Sequence, residues 1–149
     1  MPTRVSGGDR LTQRLKEIAE ALGHNPEVKV GFPENSTYPD GTSLPMVAAI
    51  NEFGSPRKNI PARPFMRATV WRHSAEWPAL AGRLLVRNNY DVHKALSLMG
   101  EVIKGQMQQS ITSGPWQKNA PSTIAAKGFD RPLISTGFLR RSITVEVKA

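Results

Sequence analysis

The longest periodic stretch of the chain, residues 92–111, has apolar residues at three- and four-residue spacing. Its apolar face consists of Val92, Ala95, Leu96, Met99, Val102, Ile103, Met107 and Ile111. This spacing predicts an amphipathic helix, and Asp91 stands where an N-cap is expected. About 20 residues at 1.5 Å each give a helix of roughly 30 Å. We expect this helix to be the backbone of the fold.

A second helix is predicted near the N-terminus. Leu11, Leu15, Ile18 and Leu22 mark one apolar helical face. Asp9 is a plausible N-cap, and Gly23 a plausible stop. Residues 1–8 are polar and contain glycine, so we expect them to be frayed.

The middle of the chain predicts three shorter helices. Ser43 can cap the first, which has Pro45 in its first turn and ends at Gly54. The second covers about 64–73, and the third starts near Ser74 with Pro78 in its first turn. The apolar sides of the first and third helices are expected to be Met46, Val47, Ile50 and Phe53, and Trp77, Leu80, Leu84 and Leu85.

Two segments far apart in sequence alternate as strands do. Residues 27–32 place Val28, Val30 and Phe32 on one side, and residues 142–147 do the same with alternate apolar residues. These strands pair with each other or with a hairpin hidden in 33–43. The pattern predicts an α+β fold in which a small antiparallel sheet packs against the long helix.

Three loops are longer than a compact domain needs for its connections, namely 33–43, 55–64 and 113–121. Pro56, Pro61 and Pro64 lie in the second, which is expected to lack regular structure. Residues 122–127 predict a single helical turn, and Thr136 can cap another through Leu139. A chain of 149 residues is most economically one domain, here 1–149.

Composition narrows the function classes. The net charge of +8 favours an anionic partner, but the charge is dispersed: residues 1–75 hold ten Lys/Arg and seven acids, residues 76–149 ten and five. A dedicated DNA reader more often concentrates its charge on one element. The absence of cysteine excludes disulfides and thiol nucleophiles. No apolar run suits a signal peptide or a bilayer span, so we expect a protein used in a cytoplasm.

Candidate catalytic groups lack partners. His24, His73 and His93 have no second ligand at metal-binding spacing, and no phosphate-binding or nucleophile-elbow motif is present. Glu52 is a lone carboxylate, which we expect to bond Arg57 or Arg63 and so fix the 55–64 loop. The sequence therefore favours a protein that is not an enzyme and that binds no cofactor or metal.

Other residues suit contacts with a partner. Arg140 and Arg141 follow a tight apolar turn, where they form either a solvated basic turn or a contact with an anionic partner. Trp116 lies in a Gly-Pro-Trp loop outside any periodic pattern, which leaves core and interface equally open.

Two segments together resemble a known family. Residues 51–54 read Asn-Glu-Phe-Gly, and Pro61, Arg63, Pro64 and Phe65 follow as Pro-x-Arg-Pro-Phe. The later elements are Ser122-Thr123-Ile124, Lys127-Gly128, Pro132-Leu133-Ile134, Thr136-Gly137, Leu139-Arg140 and Ser142-Ile143, and Val30-Gly31-Phe32 precedes both segments. Their order and spacing over about 28–147 resemble the virion-morphogenesis (minor tail component or head-to-tail connector) proteins of tailed bacteriophages. The middle helices are outside the resemblance.

The resemblance implies a structural subunit at the junction of phage capsid and tail. Members are neck, tail-completion or tail-terminator proteins that form rings, usually six- or twelve-fold, without enzymatic activity. The implied partners are further copies of the chain, portal-side connector proteins, tail-tube proteins and DNA in the channel, with no membrane; the implied location is the virion, after assembly in the host cytoplasm. The expected interface residues are Glu52, Phe53, Arg57, Arg63, Phe65, Trp116, Arg140 and Arg141. The alternative is a basic nucleic-acid-binding module without catalysis.

Overall fold

A computed structural model describes residues 6–114 and 137–148 of the chain. In chain order the elements are α1 (Gly8–Gly23), β1 (Glu27–Gly31), α2 (Leu44–Phe53), a 3₁₀ turn (Pro56–Lys58), α3 (Phe65–His73), α4 (Trp77–Arg87), α5 (Val92–Ser113), α6 (Phe138–Arg141) and β2 (Thr144–Lys148). The predicted turn at 122–127 and the cap at Thr136 lie outside the described residues.

The long helix α5 organises the fold, as its periodicity predicted. Asp91 caps it by accepting a hydrogen bond from the backbone N–H of Lys94. The sheet, α3 and α4 all pack on this helix. The α+β class with a small sheet against a long helix is thereby confirmed.

The two strands pair with each other in antiparallel register, Val28 opposite Val147 and Val30 opposite Val145. Their valines face α5, where the approach is very close. A Cβ at Gly100 would stand 2.3 Å from Val145 Cγ1 and 2.9 Å from Val28 Cγ2. Glycine in the middle of a helix costs about 1 kcal/mol relative to alanine. At Gly100 the absence of a side chain offsets that cost, because it lets the sheet pack directly against the helix backbone.

The outer face of the sheet is polar, and opposite charges lie directly across from each other. Glu27 is opposite Lys148, and Lys29 is opposite Glu146. Such cross-strand pairs each contribute roughly 0.2–1 kcal/mol and disfavour a one-residue slip in register. The register therefore follows from both faces of the sheet.

The core lies between α5 and the elements packed on its C-terminal half. Its buried members are Leu44, Ala48, Phe65, Ile103, Met107, Ile111, Leu139 and Ile143. Phe32 meets Phe65 edge to face at 6.2 Å between ring centroids, and Tyr38 lies 5.0 Å from Phe138. The 33–43 excursion thus contributes Tyr38 to the packing, and its ends meet in a bridge between Thr37 and Ser43.

Three sequence predictions need correction. Asp9 does not cap α1: the N-cap is Gly7, in a left-handed conformation, and Asp9 lies inside the first turn. The predicted apolar side of α2 is not its buried side: Met46 and Phe53 are exposed, and Val47 and Ile50 are only half-buried. The helix instead buries Leu44, Ala48 and Glu52. The loop 55–64 is not wholly irregular, because it contains a 3₁₀ turn and a bridge between Ser55 and Ile60.

Helix α1 forms as predicted but buries none of its residues. Arg14 donates to the carbonyl oxygen of Asn89, at the corner between α4 and α5. Leu11, Leu15 and Leu22 are 62%, 57% and 45% exposed. Within the described residues, no helix is both long and apolar enough to cross a bilayer.

Candidate docking surfaces

A buried carboxylate anchors the segment that follows α2. Glu52 is only 3% exposed. Its Oε2 accepts from the backbone N–H of Met66, and its Oε1 from the backbone N–H of Arg67, each at 2.9 Å. These are N–H groups of the first turn of α3, whose N-cap Pro64 provides no side-chain acceptor. Glu52 therefore caps α3 from a distance and places a negative charge at the positive end of the helix.

The arginine on this carboxylate is Arg67, where the sequence predicted Arg57 or Arg63. Its Nε donates to Glu52 Oε1 at 3.0 Å, and its Nη2 donates to the backbone oxygen of Glu52 at 2.7 Å. Because both carboxylate oxygens already accept hydrogen bonds, Glu52 is engaged in holding the end of α2 against the start of α3.

Gly54 makes the turn between these helices possible. Its φ is +73°, and a Cβ there would stand 2.8 Å from both Ala62 N and Ile60 O. The chain then closes on itself, since the Arg63 N–H donates to Asn51 O at 2.6 Å. The fixed shape of the Asn-Glu-Phe-Gly turn therefore has a physical basis: a capping carboxylate followed by a position that excludes any side chain.

An aromatic–basic patch lies outside this anchor and consists of Met46, Phe53, Arg67, Val70 and Trp71. The Arg67 guanidinium lies over the Phe53 ring, 5.0 Å from its centroid. Trp71, one helical turn after Arg67, is 87% exposed, and Phe53 is 68% exposed. Large aromatics bury about 150–250 Å² when covered, so these two rings leave on the order of 300 Å² of apolar surface in water. Patches of that size on a monomer often mark interaction sites.

The chain segment that carries most of this patch has an excess of positive charge, although Glu52 offsets the charge of Arg67. Residues 53–75 hold Arg57, Lys58, Arg63, Arg67 and Arg72, without a single Asp or Glu. Arg57, Lys58 and Arg72 are exposed. A partner for this face is accordingly favoured to be acidic or to carry phosphate.

The C-terminal basic turn is also at the surface. Arg140 and Arg141 end α6 and are both exposed, and the backbone oxygen of Arg140 accepts from Gln108 Nε2 at 3.2 Å. This turn therefore adjoins the C-terminal half of α5, as does α3, where Ser110 Oγ donates to Phe65 O at 3.1 Å.

The residues predicted to contact a partner separate into two groups. Phe53, Arg57, Arg140 and Arg141 are exposed, and Arg63 is half-buried. Phe65, by contrast, is 0% exposed and belongs to the core, and Glu52 is buried under α3. These two residues shape the loop from inside and present no surface to a partner. Trp116 lies outside the described residues.

Two patch residues, Arg67 and Trp71, were missed by the sequence reasoning. The predicted helix at 64–73 begins with a proline that cannot cap it by a side chain, which calls for a distant acceptor such as Glu52. Trp71 follows Arg67 by four residues and shares its face. The missing side-chain cap at Pro64 could have identified Arg67 in the first turn of the helix, and the four-residue helical spacing could then have identified Trp71.

Two titrating groups in the 33–43 excursion are perturbed. Burial, with a smaller contribution from the negative charge of Asp40, raises the pKa of Tyr38 above its usual 10.0. Hydrogen bonds from Thr42 lower the pKa of Asp40, which is fully exposed. Among residues 6–114 and 137–148, no group of three or more His, Asp or Glu side chains is placed to hold a metal ion.

Comparisons of the chain with protein-family models, with curated proteins and with solved structures found no match. The resemblance to phage head–tail junction proteins therefore rests on the order and spacing of the sequence segments and stays a prediction.

Proposed function

We propose that this chain is a non-enzymatic structural subunit of a phage head–tail junction, a neck, tail-completion or tail-terminator protein that assembles into a ring. The resemblance of residues 51–65 and 132–147 motivates the proposal. In this role the chain would join a DNA-filled capsid to a tail by docking on its own copies and on neighbouring rings.

The observation that carries the proposal is that residues 6–114 and 137–148 leave two unlike apolar surfaces uncovered, at different positions along α5. Helix α1 approaches the N-terminal end of α5, near Val92. The aromatic–basic patch lies partly on α3, whose first residue, Phe65, accepts a hydrogen bond from Ser110 near the C-terminal end of α5. Eighteen residues of helix separate those two positions, which is about 27 Å. Two different surfaces on one subunit suit head-to-tail contacts, which close into a ring when the rotation permits.

The local rigidity of the patch also suits an assembly role. Glu52, Gly54 and the contact between Asn51 and Arg63 fix the shape of the loop that carries Arg57 and Lys58. A surface that is ordered before docking loses less conformational entropy when it binds. Such a surface can be used repeatedly around a ring at the same geometry.

Electron microscopy of lysates from a phage with an early stop codon in this gene tests the proposal. We expect heads that are filled or leaking beside unattached tails, and complementation by the intact gene. Tails of abnormal length would indicate that the protein is a tail terminator, which is one of the roles included in the proposal. Normal infectious particles would overturn it.

One observation favours a second function, a basic nucleic-acid-binding module. Trp71 is an exposed ring in a segment, residues 53–75, that holds five Lys/Arg and no Asp or Glu, and exposed aromatics beside cations are used to stack bases. Against it, Arg67 already occupies one face of Phe53. A nucleic-acid module predicts DNA affinity that falls steeply with salt and that weakens when Arg57, Lys58, Arg140 and Arg141 are all replaced by alanine. Unchanged affinity in that variant would eliminate it.

A further inference from the structure

Helix α1 has the features of a docking element whose apolar face is uncovered by the described part of its own chain. It has 16 residues and buries none of them. In proteins, most of the stability of a helix comes from packing its amphipathic face against another surface. Its apolar positions 11, 15, 18 and 22 follow the alternating four- and three-residue spacing of a helix–helix seam.

Three of the four seam positions, the leucines, are exposed beside the chain's own body, and the fourth, Ile18, is half-buried against it. The residues of α1 that line the crevice against the corner after α4 are Arg14, Glu17, Ile18, Ala21 and His24. At 100° per residue, Leu11, Leu15 and Leu22 lie within about 40° of one another, beside that lining. They point to one side of the crevice, which agrees with their exposure.

A groove on the body of the molecule offers a matching surface. It is lined by His93, Ser97, Leu98 and Glu101 of α5 and by Val145 and Val147 of β2. Leu98 is 40% exposed, as is Val102 one turn further on. In the described part of the chain, β2 pairs only with β1, so the edge of β2 on the groove side is unpaired. Proteins commonly protect such edges by covering them with a helix.

We propose that α1 of one copy docks in the groove between α5 and β2 of a second copy. The contact is heterologous, because it joins different surfaces of the two copies. Only the idea that such contacts close into a ring rests on the proposed function. Each copy contributes its helix to one neighbour and its groove to the other. The edge of β2 and the leucines of α1 are covered by the same event.

Length and charge fit this docking. The seam from Leu11 to Leu22 spans about 16 Å, and the groove from His93 to Glu101 about 12 Å. Arg10 precedes the first leucine of the seam and is exposed, and Glu101 is an exposed acid on the rim of the groove. Placing Arg10 beside Glu101 directs Leu22 towards His93 and makes α1 antiparallel to α5.

The absence of cysteine allows a direct test, because each engineered variant carries a single thiol. Purified full-length Leu15→Cys and Leu98→Cys proteins are mixed and treated with a short bis-maleimide. Val86→Cys, which replaces an exposed valine outside the groove, is the matched control partner. We expect the mixture of Leu15→Cys and Leu98→Cys to give at least about fivefold more mixed dimer than that of Leu15→Cys and Val86→Cys.

Sedimentation equilibrium of the cysteine-free protein supplies the second readout. We expect self-association that Leu15→Ser and Leu98→Ser each weaken at least about tenfold, since each removes a large apolar side chain from the contact. Circular dichroism of the variants checks that they remain folded, which the exposure of both positions favours.

Four results would overturn the proposal. Equally efficient cross-linking of Leu15→Cys to itself would indicate that two α1 helices pair with each other. A cross-link within one chain of the double variant Leu15→Cys/Leu98→Cys would place α1 in its own groove. Cross-linking to Val86→Cys at the same level, or a monomer that forms no cross-links, would also contradict the contact. The lysate experiment is independent of all four. If the stop-codon phage lacks head–tail junctions but the cross-link is absent, the junction role stands and the proposed contact is wrong. If the cross-link forms but the phage particles are normal, the contact stands and the junction role is wrong.

Discussion

Removing the carboxylate of Glu52 should destabilise the protein through α3. Glu52→Ala leaves the backbone N–H groups of Met66 and Arg67 without their acceptor in a site that is only 3% exposed. An unsatisfied buried donor costs about 1–3 kcal/mol. Arg67 adds little, because its side chain is 59% exposed and water can solvate it once the partner is gone. We therefore expect a loss of about 3 kcal/mol.

Two variants separate the cap from the ion pair. Glu52→Gln keeps the shape and one acceptor oxygen but turns an amide N–H₂ towards a donor, so we expect an intermediate loss of about 2 kcal/mol. Arg67→Ala keeps both backbone bonds of the carboxylate and should cost at most about 1 kcal/mol.

Urea unfolding followed by circular dichroism measures these differences, and a loss of about 3 kcal/mol corresponds to a fall in Tm of roughly 6–12 °C. If Arg67→Ala cost as much as Glu52→Ala, the ion pair would be the anchor and the capping argument would be refuted. A loss below about 0.5 kcal/mol for Glu52→Ala would refute the anchor altogether.

Three further predictions concern the turn, the 33–43 excursion and the patch. Gly54→Ala should cost at least about 2 kcal/mol in urea unfolding, because a Cβ meets backbone atoms at 2.8 Å and φ is positive; a neutral effect would contradict the claim that this turn excludes a side chain. Since the pKa of Tyr38 is raised, its neutral form contributes stability below about pH 10 that is lost as pH rises through the folded-state pKa; stability measured from about pH 8 to 11 should fall less steeply in Tyr38→Phe, and identical slopes would contradict this. Trp71→Ser should leave Tm within about 2 °C yet lower the yield of joined particles in complementation of the stop-codon phage, whereas Val86→Ser should do neither; normal yield would remove the patch from the interface.

The elements that could be predicted from sequence are those whose period is unambiguous. The stripe along α5 and the alternation of Val28 with Val30 each fit one type of structure. The opposite charges Glu27 and Lys148, now seen across the sheet, were visible only once the register was known.

The buried face of α2 could not be predicted because this helix is apolar nearly all round. Over ten residues it carries Leu44, Met46, Ala48, Ile50 and Phe53, so the pattern offers no single stripe. The buried side includes Glu52, which turns inwards to reach the start of α3. Local pattern does not contain that long-range contact.

The candidate surfaces were only partly predictable for a related reason. An apolar stripe such as Leu11, Leu15 and Leu22 predicts a face to be covered, and sequence alone assigns it to the core of its own chain. Only the structure separates a helix that packs from one that does not. Trp71 is the same case, since a tryptophan in a predicted helix is expected to be buried.

The central claim is that this chain is a ring subunit at a phage head–tail junction. Gold labelling of purified virions with an antibody to the chain tests it most directly. The account predicts gold at the narrow junction between capsid and tail in most labelled particles. Labelling confined to the capsid surface or the tail tip, or virions that lack the chain entirely, would contradict it.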